Sequence, residues 1–451
     1  MIDLARLRER FAGEVFSPAS AGYEAVRVAA NPRFDDVRPQ LVLRCRSVAD
    51  VVSALSFARD DDVHIVPRGG GHCFAGRSST DGTVLDLAEL DDIDVAAAGT
   101  ATIGAGARLA QVYAALHRHG RTIPAGCGAT VGIAGLTLGG GIGLLGRAHG
   151  LTCDRLVGAT VVLADGRVVN CGPDRDPELF WALRGAGGGQ FGVVTSLVFA
   201  TIPEPMTIPF EARWTEAHIA EVIEAWQHWA PDAPDELTAN LAVTAEPGRP
   251  VEAVLSGASL LSHSATTDLL NEFRARTGTS PAIAVGDALP YHRLKQTLAE
   301  LDPQEPGLRI RSEFFAEPMR PPTIQALTGA IADGTGEPRR LGFTAMGGAY
   351  DRVAASATAF AHRDQRFLVE HLAAADSAWI DESWAIAHTD GSGRVYPNFP
   401  DPALDDWATA YHADNFPRLV AAKNRYDPGG LFTFPQSVPA NGSVPPTPKH
   451  P

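Results

Sequence analysis

Val66-Pro67-Arg68-Gly69-Gly70-Gly71-His72 is the stretch on which the reading of this chain turns. Glycine has no Cβ and reaches positive φ at little cost, so a run of glycines sets bare backbone N–H groups where a phosphate can approach. The run closes on an imidazole. A phosphate cradle ending in a nucleophilic side chain points to a nucleotide cofactor held by backbone, with His72 placed to bond to it.

Two more glycine clusters follow. Val131-Gly132-Ile133-Ala134-Gly135-Leu136-Thr137-Leu138-Gly139-Gly140-Gly141-Ile142-Gly143 interleaves glycines with apolar residues. It contains a formal G-x-G-x-x-G at Gly141, Gly143 and Gly146. A dinucleotide fingerprint of that kind needs a strand immediately before it and a helix after it. Here the preceding segment is itself glycine-punctuated, and Gly150 interrupts the following one. A loop that wraps an extended cofactor through its backbone is the better reading. The third cluster is Arg184-Gly185-Ala186-Gly187-Gly188-Gly189-Gln190-Phe191-Gly192. Three clusters in the first half exceed what turns alone require.

The 451 residues are more than one typical domain, and two are expected. A formal charge of −15 excludes nucleic acid as a main partner and suits a small-molecule substrate. No apolar run approaches the length needed to span a bilayer, so no membrane partner is expected. Met1–Phe16 is charged and carries no apolar signal-peptide core. The five cysteines are scattered, with neither a disulfide framework nor metal spacing. A reducing cytosol is the expected compartment, and oligomeric state is not legible.

Ser47-Val-Ala-Asp50 reads as a capping box opening a helix through Arg59. Strands are expected at Val63–Val66, Val84–Leu87, Ala101–Ala105 and Val193–Ala200, and helices at Arg108–Arg118 and Glu178–Leu183. Ala159–Asn170 reads as a hairpin with a type I′ turn at Asp165-Gly166. The texture changes near Ile202–Pro209, where the glycine clusters stop. Strands are expected at Ala253–Leu261, Arg309–Ala316 and Gly342–Tyr350. Helices are expected at Ala217–Trp229, Thr266–Arg276, Thr323–Ala332, Val353–Ala375 and Leu404–Asn424. That pattern describes an α+β chain whose second part is an antiparallel sheet covered by helices. The Pro-rich end, 442–451, reads as a flexible tail.

With these motifs in place the chain resembles the FAD-binding half of the vanillyl-alcohol-oxidase (PCMH-type) superfamily. Within it, the likeness is to the berberine-bridge-enzyme-like FAD-linked oxidases. The carriers are R-G-G-G-H, A-G-C, V-G-I-A-G-L-T-L-G-G-G-I-G, G-L-T-C-D and F-W-A-L-R-G-A-G-G-G-Q-F-G-V-V-T. Tyr396-Pro-Asn398-Phe399 resembles the family's Y-x-N-[YHF] motif, and Y-D-P-G-G-L-F with Q-S-V-P its C-terminal signature.

The resemblance implies an FAD-binding domain of residues 1–204 plus 395–441. It implies an inserted substrate-binding domain of 205–394 whose sheet roofs the flavin. Arg68, Gly69, Gly70 and Gly71 are implied to offer backbone N–H groups to the pyrophosphate. His72 is implied to bond covalently to the flavin 8α-methyl. Gly132, Gly135, Leu138, Gly139, Gly140, Gly141 and Gly143 line the cofactor. Asp154 and Val194 lie toward its ribose and adenine end, and Tyr396 and Asn398 stand over the reactive ring. Relatives often carry a second link, from a cysteine three residues before the V-G pair. Here Cys127 stands four residues before Val131, so a link to flavin C6 and a free thiol beside the ring both remain open.

The implied activity is hydride transfer from a small alcohol, sugar or secondary-metabolite substrate to flavin N5, with O2 as the electron acceptor. Tyr396 is the candidate base, and it needs a neighbour that lowers a phenol pKa of about 10. Phe399, where relatives often have Tyr or His, exchanges no proton. The rivals are a dehydrogenase with another acceptor and a flavin-binding protein without turnover.

Overall fold

The strand that delivers the glycine loop lies at the edge of a four-stranded sheet. The computed structural model describes residues 7–215, 218–300, 307–333 and 336–440. In it β1 (Glu14–Phe16), β2 (Leu41–Arg44), β3 (Ile65–Arg68) and β4 (Thr83–Asp86) lie in the order β1-β2-β4-β3. Both β2 and β3 run parallel to β4. Parallel strands need a crossover, and helix Val48–Asp60 supplies it, capped by Ser47 Oγ on the Asp50 N–H.

A second sheet is antiparallel, with β5 (Ile93–Val95), β6 (Thr100–Gly104), β8 (Leu156–Val162), β9 (Val168–Cys171) and β10 (Val193–Ala200) in the order β5-β6-β10-β8-β9. Short strands β7 (Arg121–Thr122) and β11 (Ile202–Pro203) pair beside it. The hairpin of β8 and β9 forms as expected, but its turn is of another kind. Gly166 has positive φ and Asp165 does not, whereas a type I′ turn needs positive φ at both central residues. Gly166 N–H bonds to Leu163 O, and Leu163 N–H to Arg167 O. This is a three-residue loop with glycine in the bulge position.

The third sheet carries β12 (Met206–Thr215), β13 (Leu237–Ala245), β14 (Glu252–Ser259), β15 (Ile283–Val285), β17 (Leu308–Phe315), β18 (Arg339–Ala345) and β19 (Phe367–Ala374). Their order is β15-β12-β14-β13-β18-β19-β17, with β16 (Leu289–Pro290) on β12. All its pairings are antiparallel. Helices Ile219–Trp229, His263–Thr277, Pro321–Ala332 and Trp379–His388 cover one face. Trp226, Phe273, Leu327, Phe343, Phe367 and Ile380 share the core beneath them.

Two helix expectations fail here. Val353–Ala375 is not a helix: its end is strand β19, paired on both sides with β17 and β18. The stretch is alanine-rich and free of Gly and Pro, which favours a helix locally. A central strand is apolar on both faces, so the alternation that would mark it is masked. The span Leu404–Asn424 is two helices, Trp407–His412 and Phe416–Tyr426. Ala413 at φ 46 breaks the first, and Pro417 sits where proline is tolerated, in the opening turn of the second. The expected tail at 442–451 lies outside the described residues.

Arg147 joins the third sheet to the rest. Its side chain is buried and donates to four carbonyls, Pro231, Ala233, Leu237 and Met346. Asp154 does the same in reverse, pairing through both oxygens with Arg363 at 2.7 and 2.8 Å.

Candidate active site

The loop after β3 is fastened before it is offered to anything. Arg68 turns its guanidinium away from the glycines. It donates to Val26 O (2.9 Å), Arg27 O (2.9 Å), Val28 O (3.2 Å), Ser78 O (2.9 Å) and Ser79 Oγ (3.2 Å). Its charge binds the flanking chain, and the backbone of Gly69–Gly71 is left for the cradle. Arg108 bonds Gly70 O at 2.6 Å and Thr130 O at 2.7 Å. Thr130 Oγ1 meets His72 Nε2 at 3.0 Å. The first and second glycine clusters thereby come together at His72.

They touch through bare backbone. A Cβ on Gly70 would run into the Gly132 nitrogen, and one on Gly132 into the Gly70 nitrogen. Gly132 precedes the short helix Ile133–Leu138. Leu138 O accepts the N–H groups of Gly185 (3.0 Å) and Gly187 (2.8 Å), which brings in the third cluster. Val194 lies buried in β10 opposite Val161. The glycines at this junction sort into two kinds. Gly70, Gly132, Gly139, Gly140, Gly141 and Gly143 are sites where a side chain would strike the protein itself. A Cβ on Gly135 meets nothing within 4 Å, and one on Gly188 or Gly189 has its nearest atom at 3.7 Å. Three glycine segments thus meet at one junction, joined by Gly70 on Gly132 and by Gly185 and Gly187 on Leu138.

Gly139 leaves room for Asn398, Gly140 for Phe360 and Gly141 for Thr152. Asn398 Nδ2 donates to Leu136 O and to the Tyr396 hydroxyl, each at 2.9 Å. Gly141 and Ile142 N–H donate to the same hydroxyl at 3.1 Å. Tyr396 therefore bridges the glycine turn through its hydroxyl. Burial raises its pKa to about 12 against the opposing pull of Asn398, Ile142 and Gly141. Three donors on one phenol oxygen favour its deprotonated form and so oppose the effect of burial. Phe399 packs edge-on to Tyr396 (4.9 Å between centroids) and to Phe74 (5.7 Å), joining this turn to the His72 loop.

The uncovered face of the third sheet meets the same turn. Phe367, Val369 and Ala373 point into the helix-covered core, so Leu368 and Glu370 point the other way. Leu368 packs with Phe314, Phe360, Tyr350 and Tyr396, and with Ile142 beside them. One step along, Ser312, Glu370, Gly342 and Ala242 align across four strands. Ser312 Oγ accepts the Tyr396 N–H at 3.3 Å. Glu370 has no hydrogen-bond partner among the described residues. It leans over Gly342, where a Cβ would come within 3.2 Å of its Oε2. Burial raises the Glu370 carboxyl above its ordinary range, with distant Arg340 opposing. Asn240 lies on the same face, its Oδ1 buried and unpartnered.

Cys127 is exposed, and Lys295 from helix Tyr291–Glu300 donates to its sulfur at 3.1 Å. Lys295, Arg147 and Arg363 carry no local sequence signal: each acts across more than 80 residues of chain. Glu370 was visible in the sequence but assigned to a helix, which hid the face it occupies.

Residues 39–172 match the family described as FAD binding domain, and 395–439 that described as berberine and berberine like. The FAD-linked oxidoreductase YgaK of Bacillus subtilis is 32% identical, over 96% of this chain and 98% of its own. The chain belongs to the berberine-bridge-enzyme-like FAD-linked oxidoreductases. The solved structure of Physcomitrella patens BBE-like 1 superposes with a TM-score of 0.90 at 28% identity, covering 97% of this chain and 99% of that one. Glucooligosaccharide oxidase from Acremonium strictum, described with a 6-S-cysteinyl, 8α-N1-histidyl FAD, superposes with a TM-score of 0.88 at 25% identity, over 96% and 98% of the two chains. This berberine-bridge-like enzyme thus binds FAD on a PCMH-type fold. No described helix is long and apolar enough to cross a membrane.

Proposed function

We propose that the protein is an oxidase of a small hydroxylated substrate of the sugar class. In this reading residues 1–204 and 395–441 hold FAD, and 205–394 hold the substrate. FAD supplies the hydride acceptor and passes the electrons to O2. The Gly69–Gly71, Gly132–Gly143 and Gly187–Gly189 backbones cradle it, and His72, its ring held by Thr130, is the covalent tether. With five unpaired cysteines, the chain is assigned to a reducing cytosol.

The observation that carries the proposal is the unpaired Glu370 carboxyl on the open sheet face, one strand from Ser312 and its contact with Tyr396. A general base works best with a pKa near the working pH, and burial moves Glu370 in that direction. Glu370 takes the proton of the substrate hydroxyl while the carbon beside it gives up hydride. Gly342 and Ala242 keep the sheet low next to the carboxyl and make room for the substrate. The unmet acceptor of Asn240 suits a ligand that carries hydroxyl groups. The sugar oxidase among the similar structures supports the same substrate class.

Anaerobic mixing with a panel of oligosaccharides should bleach the flavin absorbance, and admission of air should release hydrogen peroxide. Dye reduction without peroxide would instead mean a dehydrogenase. Glu370→Gln should lower kcat/KM by about 10²–10⁴-fold with unchanged flavin content. In the wild type kcat/KM should fall as pH drops through a pKa above the usual carboxylate range. A Glu370→Gln enzyme with full activity sinks the assignment.

A further inference from the structure

Lys295, from the inserted part of the chain, reaches into the cofactor-binding part. Lys295 is 3% exposed. Its ammonium donates to Gly126 O at 2.9 Å, Ala125 O at 3.4 Å and Cys127 Sγ at 3.1 Å. The rings of Tyr113 and Tyr291 lie 5.2 and 5.0 Å from it. Tyr113 holds the same loop by its hydroxyl on Gly126 O at 2.7 Å. No carboxylate lies within ion-pair distance of Lys295 among the described residues. A buried cation without an anion is costly, and the side-chain acceptor that Lys295 meets is the Cys127 sulfur. Burial works to lower the Lys295 pKa, yet Cys127 and then Tyr113 outweigh it and raise it, so the lysine stays charged.

The Cys127 loop is also built to place the sulfur. Cys127 stands one residue farther from Val131 than in the usual motif, and that residue is absorbed in a turn closed by Val131 N–H on Gly128 O at 3.2 Å. The next residue back from Val131, Thr130, is the one that meets His72. Cys127 and His72 are thereby held by the two ends of a single short loop.

We infer that Lys295 is the positioning residue for Cys127: its ammonium holds the sulfur and aims it for a second covalent link to the flavin. This rests on the proposed seating of FAD at the His72 loop. The thiolate is the nucleophilic form of cysteine. In the linking step a sulfur–C6 bond forms, the thiol proton and the C6 hydrogen are lost as protons, and the two electrons released pass through the flavin to O2, which leaves as hydrogen peroxide.

Peptide mapping of the denatured holoenzyme reads the link directly, with Cys127→Ala as the mass control. The wild type should carry flavin on both the His72 and Cys127 peptides. Lys295→Gln keeps hydrogen-bonding capacity and nearly the same length while removing the charge. It should lower flavin on the Cys127 peptide by about tenfold or more and leave the His72 peptide loaded. Lys295→Arg should retain most of the Cys127 link. Equal loading of Cys127 in wild type and Lys295→Gln overturns the inference, as does a wild-type Cys127 peptide free of flavin. The absence of flavin from both peptides and from the native protein would instead overturn the FAD seating itself.

Discussion

At the scale of single residues, the decisive contacts are backbone against backbone. Gly70 and Gly132 approach so closely that neither tolerates a Cβ. Gly132→Ala should push the two loops apart, costing about 1–3 kcal/mol of stability and most of the bound FAD. Flavin absorbance per protein after gel filtration, with a urea titration beside it, checks both effects; wild-type loading would refute the close approach. These glycines were legible because glycine is chosen for backbone reasons that a sequence displays. The contacts of Tyr396 were not. Its hydroxyl accepts from Gly141 and Ile142, about 255 residues earlier in the chain, and no local pattern displays such a pairing.

At the scale of elements, β19 shows why part of the third sheet was hidden. It lies between β17 and β18 with apolar residues on each face, so neither strand nor helix periodicity dominates. The edge strand β17 was legible as a strand, but the surroundings of its polar side chains were not. Glu313 on β17 is fully buried; it bonds His388 Nδ1 at 2.9 Å and accepts the Gly393 N–H at 2.6 Å. Burial raises its pKa to about 7 from 4.5, with His388 and Gly393 opposing. The folded state thus holds this proton more tightly than the unfolded state, and the stability it contributes is full below pH about 4.5 and lost as pH rises to about 7. Glu313→Gln keeps an acceptor for Gly393 and cannot ionise. Its Tm relative to wild type should climb across that pH window, and parallel Tm curves for the two proteins would exclude the effect.

At the scale of the molecule, Arg147 is one of the side chains that tie the third sheet to the glycine-rich segments, as Arg363 on Asp154 is another. The carbonyls of Pro231, Ala233, Leu237 and Met346 converge on its buried guanidinium. Arg147→Met should leave those carbonyls unmet and destabilise the fold by on the order of 3 kcal/mol or more. Urea unfolding followed by tryptophan and by flavin signals should then separate into two transitions. A single transition at the wild-type midpoint would show that the halves are held otherwise.

The chain order of residues determined the fold class and the binding of FAD, because glycine runs and their spacing encode backbone geometry locally. It also carried the antiparallel, helix-covered character of the inserted part. Only the tertiary structure decided which acid faces the site, what holds Cys127 and how the halves lock. Glu370, Lys295 and Arg147 each draw their meaning from groups far away in sequence, since charge and burial are set by neighbours in space and not by neighbours along the chain.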